Sequence, residues 1–151
     1  MLKESPDHLD ADLVLKIYHL RREPVMRESR DGLTRDFWPR NADEALAVLR
    51  PDHPLNRQWR QVVGYWEMVY SMARHGVVHG DFLLESNGEG LFLFARVEPY
   101  LQALRSASSP RTLRNTEWVA TETAMGRTLI EYFRKRVADI LATRGAAAPS
   151  R

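Results

Sequence analysis

Side chains that could bind a metal ion are concentrated between residues 75 and 85. His75, His79, Asp81 and Glu85 follow the pattern H-x3-H-x-D-x3-E. Two histidines four residues apart on one helix place both imidazoles on the same face, as in many zinc sites. The spacing therefore makes His75, His79 and Asp81 a candidate metal-binding set.

The same residues also have a local structural interpretation. Gly76 and Gly80 would interrupt any helix that spans both histidines. His75 then lies at a helix C-terminus, where a protonated imidazole meets the negative end of the helix dipole. His79 or Gly80 caps the following helix, and Asp81 lies in its first turn. We prefer this interpretation and expect no metal site.

The tripeptide His79-Gly80-Asp81 resembles part of the catalytic loop of aminoglycoside-phosphotransferase-like kinases. The resemblance implies a catalytic-base Asp and a magnesium-binding Asn five residues after it. Here Asn87 follows Asp81 by six residues, and no Asp lies between Asp81 and Asp139 to provide the second metal ligand. A glycine-rich phosphate loop on strands and a strand lysine are also missing. We therefore expect no kinase activity.

Other catalytic and cofactor motifs are missing from the sequence. It contains no GxSxG, HExxH, P-loop or GxGxxG motif, so esterase, metalloprotease, nucleotide-hydrolase and dinucleotide-binding functions have no support. Glu67 is interpreted as a surface glutamate whose stem covers apolar neighbours, in preference to a buried carboxylate. We expect no catalytic residue and no cofactor.

Composition is typical of one globular domain. The chain has 151 residues, of which 44% are hydrophobic and 28% charged, and it has no cysteine. The absence of cysteine excludes disulfides and thiolate chemistry. No apolar run approaches the ~20 residues that span a bilayer, and residues 1–12 lack the apolar region of a secretory signal. We expect a cytoplasmic protein without a membrane partner.

Charge is distributed unevenly along the chain. The net formal charge is +2, but residues 105–151 contain nine Lys or Arg and four Asp or Glu, a net of +5. Such asymmetry is found in proteins that bind nucleic acid. The basic residues of the segment 105–144 that could do so are Arg105, Arg111, Arg114, Arg127, Arg134, Lys135 and Arg136. A helix with one solvated cationic face is the preferred alternative.

The positions of apolar residues predict helices along most of the chain. The strongest helical stripe runs from Leu55 to Arg74, and Gly76 then provides a left-handed helix end. Weaker patterns predict helices over 10–22, 24–38, 41–49 and 81–85, and over 91–105 with a kink or boundary near Pro99. We predict an all-α, irregular bundle of five to seven helices.

Helix starts are predicted from capping residues. Asp10 or Asp12 is expected to cap the first helix, Pro24 to occupy the first turn of the second, and Asn41 to cap the third. A long C-terminal helix is predicted from Asn115 or Thr116 to about Thr143. We predict one helical domain over 1–144 and a disordered tail over 145–151.

The predicted C-terminal helix suggests a homodimer. About 28 residues at 1.5 Å per residue span about 42 Å, which exceeds the width of a domain of this size. Part of its apolar face would then lack a partner within the chain, and such helices often pair across a two-fold axis. The interface candidates are Trp118, Met125, Phe133 and Ile140.

The run WEMVYSMARHGVVHGDFLLES, with LRREPVMRESRD before it, resembles uncharacterised bacterial all-helical families of unknown function. The shared pattern is a long helix with a central acid, a terminating glycine, a short apolar connector and a second helix. Those positions are Glu67, Gly76, Val77-Val78 and Asp81. The resemblance covers about residues 13–104 and implies a helical hairpin without any known activity.

These observations favour a non-catalytic helical domain that acts by protein–protein contact, as a homodimer and with an unidentified protein partner. The alternative is a nucleic-acid-associated regulator that uses the basic segment 105–144. A metal-dependent enzyme built around His75, His79 and Asp81 is the third and least favoured function.

Overall fold

The computed structural model describes residues 1–146, and all the regular structure in this range is helical. Nine α-helices and one 3-10 helix, over Glu98–Tyr100, follow one another along the described residues. The α-helices are α1 (His8–Arg21), α2 (Pro24–Asp36), α3 (Ala42–Ala47), α4 (Asn56–Arg74), α5 (Gly80–Ser86), α6 (Glu89–Val97), α7 (Leu101–Ala107), α8 (Arg114–Glu122) and α9 (Ala124–Ala146). The prediction of an all-α fold with a long C-terminal helix is confirmed.

Helix α4 lies at the centre of the bundle. Its stripe of apolar residues is buried, as predicted, and packs against α2 on one side and α8 on another. Trp66 and Tyr70 stack with ring centroids 5.4 Å apart and are almost completely buried. Gly90 of α6 must be glycine, because a Cβ there would lie 2.6 Å from the Tyr70 ring. α6 therefore approaches α4 more closely than an alanine would permit.

Most predicted helix ends are confirmed. Pro24 is in the first turn of α2, and the Asn41 side chain accepts a hydrogen bond from Glu44 N, 2.9 Å away. Gly76 has a φ of +71° after α4, in the left-handed region where glycine is favoured. The chain is interrupted at Pro99 by the 3-10 helix, which separates α6 from α7.

The predicted cap of the first helix was wrong. Asp7, not Asp10 or Asp12, is the N-cap of α1, and its carboxylate accepts hydrogen bonds from Leu9 N and Asp10 N. Asp10 is the reciprocal partner, because its carboxylate accepts from Asp7 N at 2.9 Å. This is a capping box with Asp at its third helical position.

The C-terminal region forms two helices where a single one was predicted. α8 begins after Leu113, which has a left-handed φ of 55°, and it ends at Glu122 with Thr123 as its C-cap. The Thr123 hydroxyl donates to Val119 O and accepts from Gly126 N, so it ends α8 and caps α9. A Cβ at Gly126 would lie 1.8 Å from Val119 O. The break thus depends on a threonine and a glycine three residues apart.

Because of this break, the last helix is shorter than predicted. The helix length therefore gives less support to a dimer. α9 has 23 residues, and at 1.5 Å per residue it extends about 34 Å. It contacts the rest of the chain at both ends: Met125 N donates to Asp81, and Arg144 donates to Arg35 O. α9 therefore has intrachain partners along its length.

The helix count exceeds the predicted five to seven because Thr123 and Pro99 each divide a predicted helix. α9 includes Gly145 and Ala146 of the predicted tail, and the rest of that tail, residues 147–151, lies outside the described residues. Within residues 1–146, no helix combines the length and apolar character that crossing a membrane requires.

Candidate functional site

His79 ends the turn between α4 and α5 and caps α5, whose first two residues are Gly80 and Asp81. His79 Nδ1 accepts a hydrogen bond from Phe82 N at 3.2 Å, which makes His79 the N-cap of α5. Its own backbone N–H donates to Asp10 Oδ1 at 3.3 Å. One imidazole nitrogen therefore accepts a backbone hydrogen bond, and the predicted capping role of His79 is confirmed.

Asp81 connects this turn to the last helix. Asp81 Oδ1 accepts a hydrogen bond from Met125 N at 2.8 Å, in the first turn of α9. A carboxylate is favoured there because the N-terminus of a helix carries partial positive charge. Gly80, next to Asp81, lies so close to α9 that an added Cβ would be 3.0 Å from Thr123 Cγ2. Asp81 and Gly80 thus hold α5 against the start of α9.

Asp10 is the buried acid of the same region. It is 1% exposed and accepts hydrogen bonds from Lys3 Nζ, Asp7 N and His79 N. Burial by itself would raise its pKa, but the hydrogen bonds and the Lys3 charge outweigh burial and hold the pKa below its usual value. The ionised carboxylate joins the start of α1 to the α4–α5 turn.

His75 lies apart from this network. It is exposed after the last turn of α4 and faces the cleft that is described below. Within residues 1–146, no three His, Asp or Glu side chains are grouped closely enough to hold a metal ion. The three residues of the candidate metal-binding set therefore have separate positions. His79 caps α5, Asp81 joins α5 to α9, and His75 is exposed.

Glu67 has a more specific role than a surface glutamate covering apolar neighbours. Its Oε1 accepts from Thr116 N at 2.8 Å and from Thr116 Oγ1 at 2.6 Å, and its Oε2 accepts from Asn115 N at 3.1 Å. The Asn115 side chain also donates to Glu67 O. Glu67 thus joins the middle of α4 to the first turn of α8, where the free N–H groups of a helix favour an anion.

A cleft of about 890 Å³ opens beside this contact, and we call it the cationic cleft. It lies between the C-terminal half of α4 and the segment 109–115 that leads into α8. Arg74 and His75 contribute from α4, and Arg111 and Arg114 contribute from the opposite side. No pattern in the sequence groups these residues, because nearly 40 positions separate Arg74 from Arg111.

A second concavity, of about 450 Å³, lies along another side of α4, and we call it the apolar groove. Leu20 of α1 and Met68 of α4 line it and are 51% and 45% exposed. Gly64 also lines it and is exposed, and a Cβ added to Gly64 would meet no atom within 4 Å. Glu23 and Arg60 also line it. The groove therefore combines accessible apolar side chains with charges of both signs.

Three of the four predicted interface residues pack against the chain's own core. Trp118, Met125 and Phe133 are half-buried against it, and the Phe133 ring lies 5.2 Å from that of Phe92. Ile140 is half-buried, and Tyr132 is the large apolar residue of α9 with the greatest exposure, at 55%. The accessible apolar surface of α9 is thus smaller than the sequence suggested.

The basic residues of the segment 105–144 have different local partners. Arg105 pairs with Glu117, and Arg134 pairs with Glu98. The Arg127 guanidinium donates to Thr121 O, and that of Arg136 lies over the Phe92 ring. Two of the seven predicted nucleic-acid-binding residues, Arg111 and Arg114, remain together, and they line the cationic cleft. Nucleic-acid binding by the whole segment stays a prediction.

Comparison with known proteins identifies a family but no activity. The model of a family described as a domain of unknown function, DUF4760, matches residues 6–123. This range includes the α4–α5 turn, the Glu67 contact and both concavities, and it ends where α9 begins. No curated protein and no solved structure matches the chain.

Proposed function

The chain therefore belongs to the DUF4760 family, and we propose that it is a non-catalytic helical interaction domain that forms a homodimer through the apolar groove. The observation that carries this proposal is the position of the exposed large apolar side chains. Leaving aside the first two residues, most of those described lie on α1, at the start of α2 or at the groove. They are Leu9, Leu15, Tyr18, Leu20, Val25 and Met68.

A non-catalytic role is supported by the use of the acids near the turn. Asp10 and Asp81 each accept hydrogen bonds from backbone N–H groups of other elements. Glu67 does the same at the start of α8. A general base needs a free lone pair directed at a substrate proton. These carboxylates are instead committed to contacts that hold helices together.

A second copy of the chain suits the groove because the groove is self-complementary in charge. A two-fold axis brings the same patch of both subunits together, so each charge faces residues of the opposite groove. Glu23 and Arg60 have opposite signs and line the same groove. A two-fold arrangement can therefore pair Glu23 of one copy with Arg60 of the other while the apolar side chains meet.

This proposal moves the dimer contact away from α9. Trp118, Met125 and Phe133 already pack on the core of their own chain. Leu20 and Met68 are about half exposed, and a Cβ added to Gly64 beside them would meet no atom within 4 Å. The α9 surface with Tyr132 and Ile140 then provides a control for the proposed interface.

Charged substitutions test the groove directly. The double variant Leu20→Asp/Met68→Asp places two carboxylates in the groove, and Tyr132→Asp places one on α9. We expect sedimentation velocity to show a dimer for the wild type and Tyr132→Asp, and a monomer for the double variant. Because all three side chains are exposed, we expect each change to alter unfolding free energy by less than about 1 kcal/mol.

Two results would contradict the proposal. A double variant that remains dimeric would exclude the groove as the interface. Loss of the dimer in Tyr132→Asp alone would place the interface on α9. Urea unfolding of each variant distinguishes a dissociated dimer from an unfolded chain.

A further inference from the structure

The cationic cleft concentrates positive charge that the rest of the chain does not neutralise. Among the described residues, Arg74, Arg111 and Arg114 have no carboxylate within ion-pair distance, whereas Arg105 and Arg134 each have one. The cleft also contains His75. Several guanidinium groups around one concave space raise the local concentration of anions.

The Glu67 carboxylate, which lines the cleft, already accepts hydrogen bonds from within the chain. Both oxygens of Glu67 accept hydrogen bonds from the first turn of α8, through Asn115 N, Thr116 N and Thr116 Oγ1. Glu67 thus takes the place that an anionic ligand would otherwise occupy at the N-terminus of α8. A ligand in the cleft would meet the guanidinium groups, which come from both walls.

One of these groups is held in position. Arg74 Nη1 donates to Asn115 Oδ1 at 3.1 Å, so the guanidinium of α4 is fixed next to the segment that carries Arg111 and Arg114. This bond uses one of the five N–H donors of the guanidinium. Arg111 and Arg114 are exposed and can adjust to a ligand.

The number and type of donors indicate the class of ligand. A single carboxylate is matched by one guanidinium fork, whereas a phosphate group has several oxygens and binds to arginines in bidentate geometry. Three arginines therefore suit a ligand with more than one phosphate charge. The volume of about 890 Å³ lies within the range of sites for small molecules, about 300–1,000 Å³.

We infer that the cationic cleft is a binding site for a small molecule that carries a diphosphate or an equivalent pair of phosphate groups. Arg74, Arg111 and Arg114 hold the phosphates, and Glu67 keeps the two walls of the cleft together. The site goes beyond the proposed homodimer and does not depend on it, because none of the three arginines lines the apolar groove.

Calorimetric titration of the full chain with inorganic pyrophosphate at low ionic strength tests this site. The variant Arg111→Gln/Arg114→Gln removes two of the charges, and Arg27→Gln/Arg57→Gln is the matched control with the same change in net charge. Arg27 and Arg57 are exposed and lie outside the cleft. We expect wild-type binding to weaken at least tenfold in the cleft variant and less than threefold in the control.

Three results would overturn the inference. The first is the absence of binding heat with pyrophosphate at millimolar concentration. The second is equal weakening in both double variants, which would indicate non-specific attraction to net charge. The third is binding of a single-stranded oligonucleotide that Arg111→Gln/Arg114→Gln abolishes and that millimolar pyrophosphate does not displace, which would assign the arginines to nucleic acid.

Discussion

The apolar groove and the cationic cleft lie along different sides of α4, and Met68 lines both. The groove is formed with α1 and α2 and exposes aliphatic side chains around Gly64. The cleft is formed with the segment before α8 and exposes guanidinium groups. One central helix therefore supports two surfaces that suit different partners, a second protein chain and a small anion.

A side chain of α4 fixes one wall of each surface, Glu67 at the cleft and Tyr65 at the groove. Glu67 holds the start of α8 at the cleft. Asp10 holds α1 to the turn before α5, and Tyr65 adds a hydrogen bond to Ile17 O at 2.6 Å on the groove side. Burial raises the pKa of Tyr65 to about 12, so this phenol remains a donor throughout the neutral range.

The largest loss of stability is expected from Glu67→Ala, which removes the hydrogen bonds that hold the start of α8 to α4. The substitution leaves Asn115 N, Thr116 N and the Thr116 hydroxyl without their acceptor. Hydrogen bonds to a charged group contribute about 1.5–3 kcal/mol each before relaxation, so we expect a loss of about 2–4 kcal/mol in unfolding free energy. Urea denaturation measures it.

Glu85→Ala is the matched control for Glu67→Ala, because Glu85 is exposed on α5. We expect it to change the unfolding free energy by less than about 0.5 kcal/mol. Equal effects of the two substitutions would show that Glu67 does not anchor α8, and the cleft would lose its structural basis.

A smaller effect is expected at the start of α1 from Asp10→Asn, with a defined dependence on pH. Hydrogen bonds and the Lys3 charge outweigh burial and hold the pKa of Asp10 below its usual value in the folded chain, so ionised Asp10 favours folding. This stabilisation is complete above about pH 4 and is lost as the pH falls through the lower folded pKa. We therefore expect Asp10→Asn to be less stable than the wild type at pH 7, with the difference decreasing in acid.

Asp12→Asn is the control for Asp10→Asn, since Asp12 pairs with Lys16 on the exposed side of α1. Urea denaturation between pH 3 and pH 7 compares the three proteins. A destabilisation by Asp10→Asn that stays constant over this range would show that the charge of Asp10 does not stabilise α1.

Much of the fold could be predicted because its signals are local. The helix over α4, the turn at Gly76, the capping role of His79 and the interruption near Pro99 all depend on residues within one or two helical turns. The break at Thr123 is also local, but Thr123 and Gly126 are common within helices. Their mutual hydrogen bond is recognised only once the backbone is known.

The two surfaces could not be predicted from the sequence. The cationic cleft joins Arg74 with Arg111 and Arg114, and the Glu67 contact crosses 48 positions to Asn115 and 49 to Thr116. Periodicity within one helix identifies its buried face but not which helix packs beside it. Arg96 illustrates the same limit: it is buried, donates to Leu33 O and Phe37 O, and burial lowers its pKa to about 10.

Apart from the controls, the smallest expected effect on stability is that of Gly64→Ala, at a residue that lines the groove. Alanine is favoured over glycine within a helix by about 1 kcal/mol, and the added Cβ meets no atom within 4 Å. We therefore expect the isolated chain to gain about 0.5–1 kcal/mol in unfolding free energy. The added methyl group also occupies space in the proposed interface, so we expect a several-fold weaker dimer by sedimentation equilibrium.

Gly64→Ala separates the two surfaces, because Gly64 does not line the cationic cleft. Pyrophosphate affinity should remain unchanged in this variant. A stabilised chain with unaltered dimer affinity would show that a second copy does not cover the groove at Gly64.

The most direct test of the proposed function is the mass of the wild-type chain in solution, measured by light scattering between micromolar and millimolar concentration. A homodimer through the groove predicts a mass that approaches twice the 17.5 kDa of one chain. It also predicts that Leu20→Asp/Met68→Asp keeps the mass of one chain over the same range. A wild-type mass of one chain at the highest concentration would contradict the account.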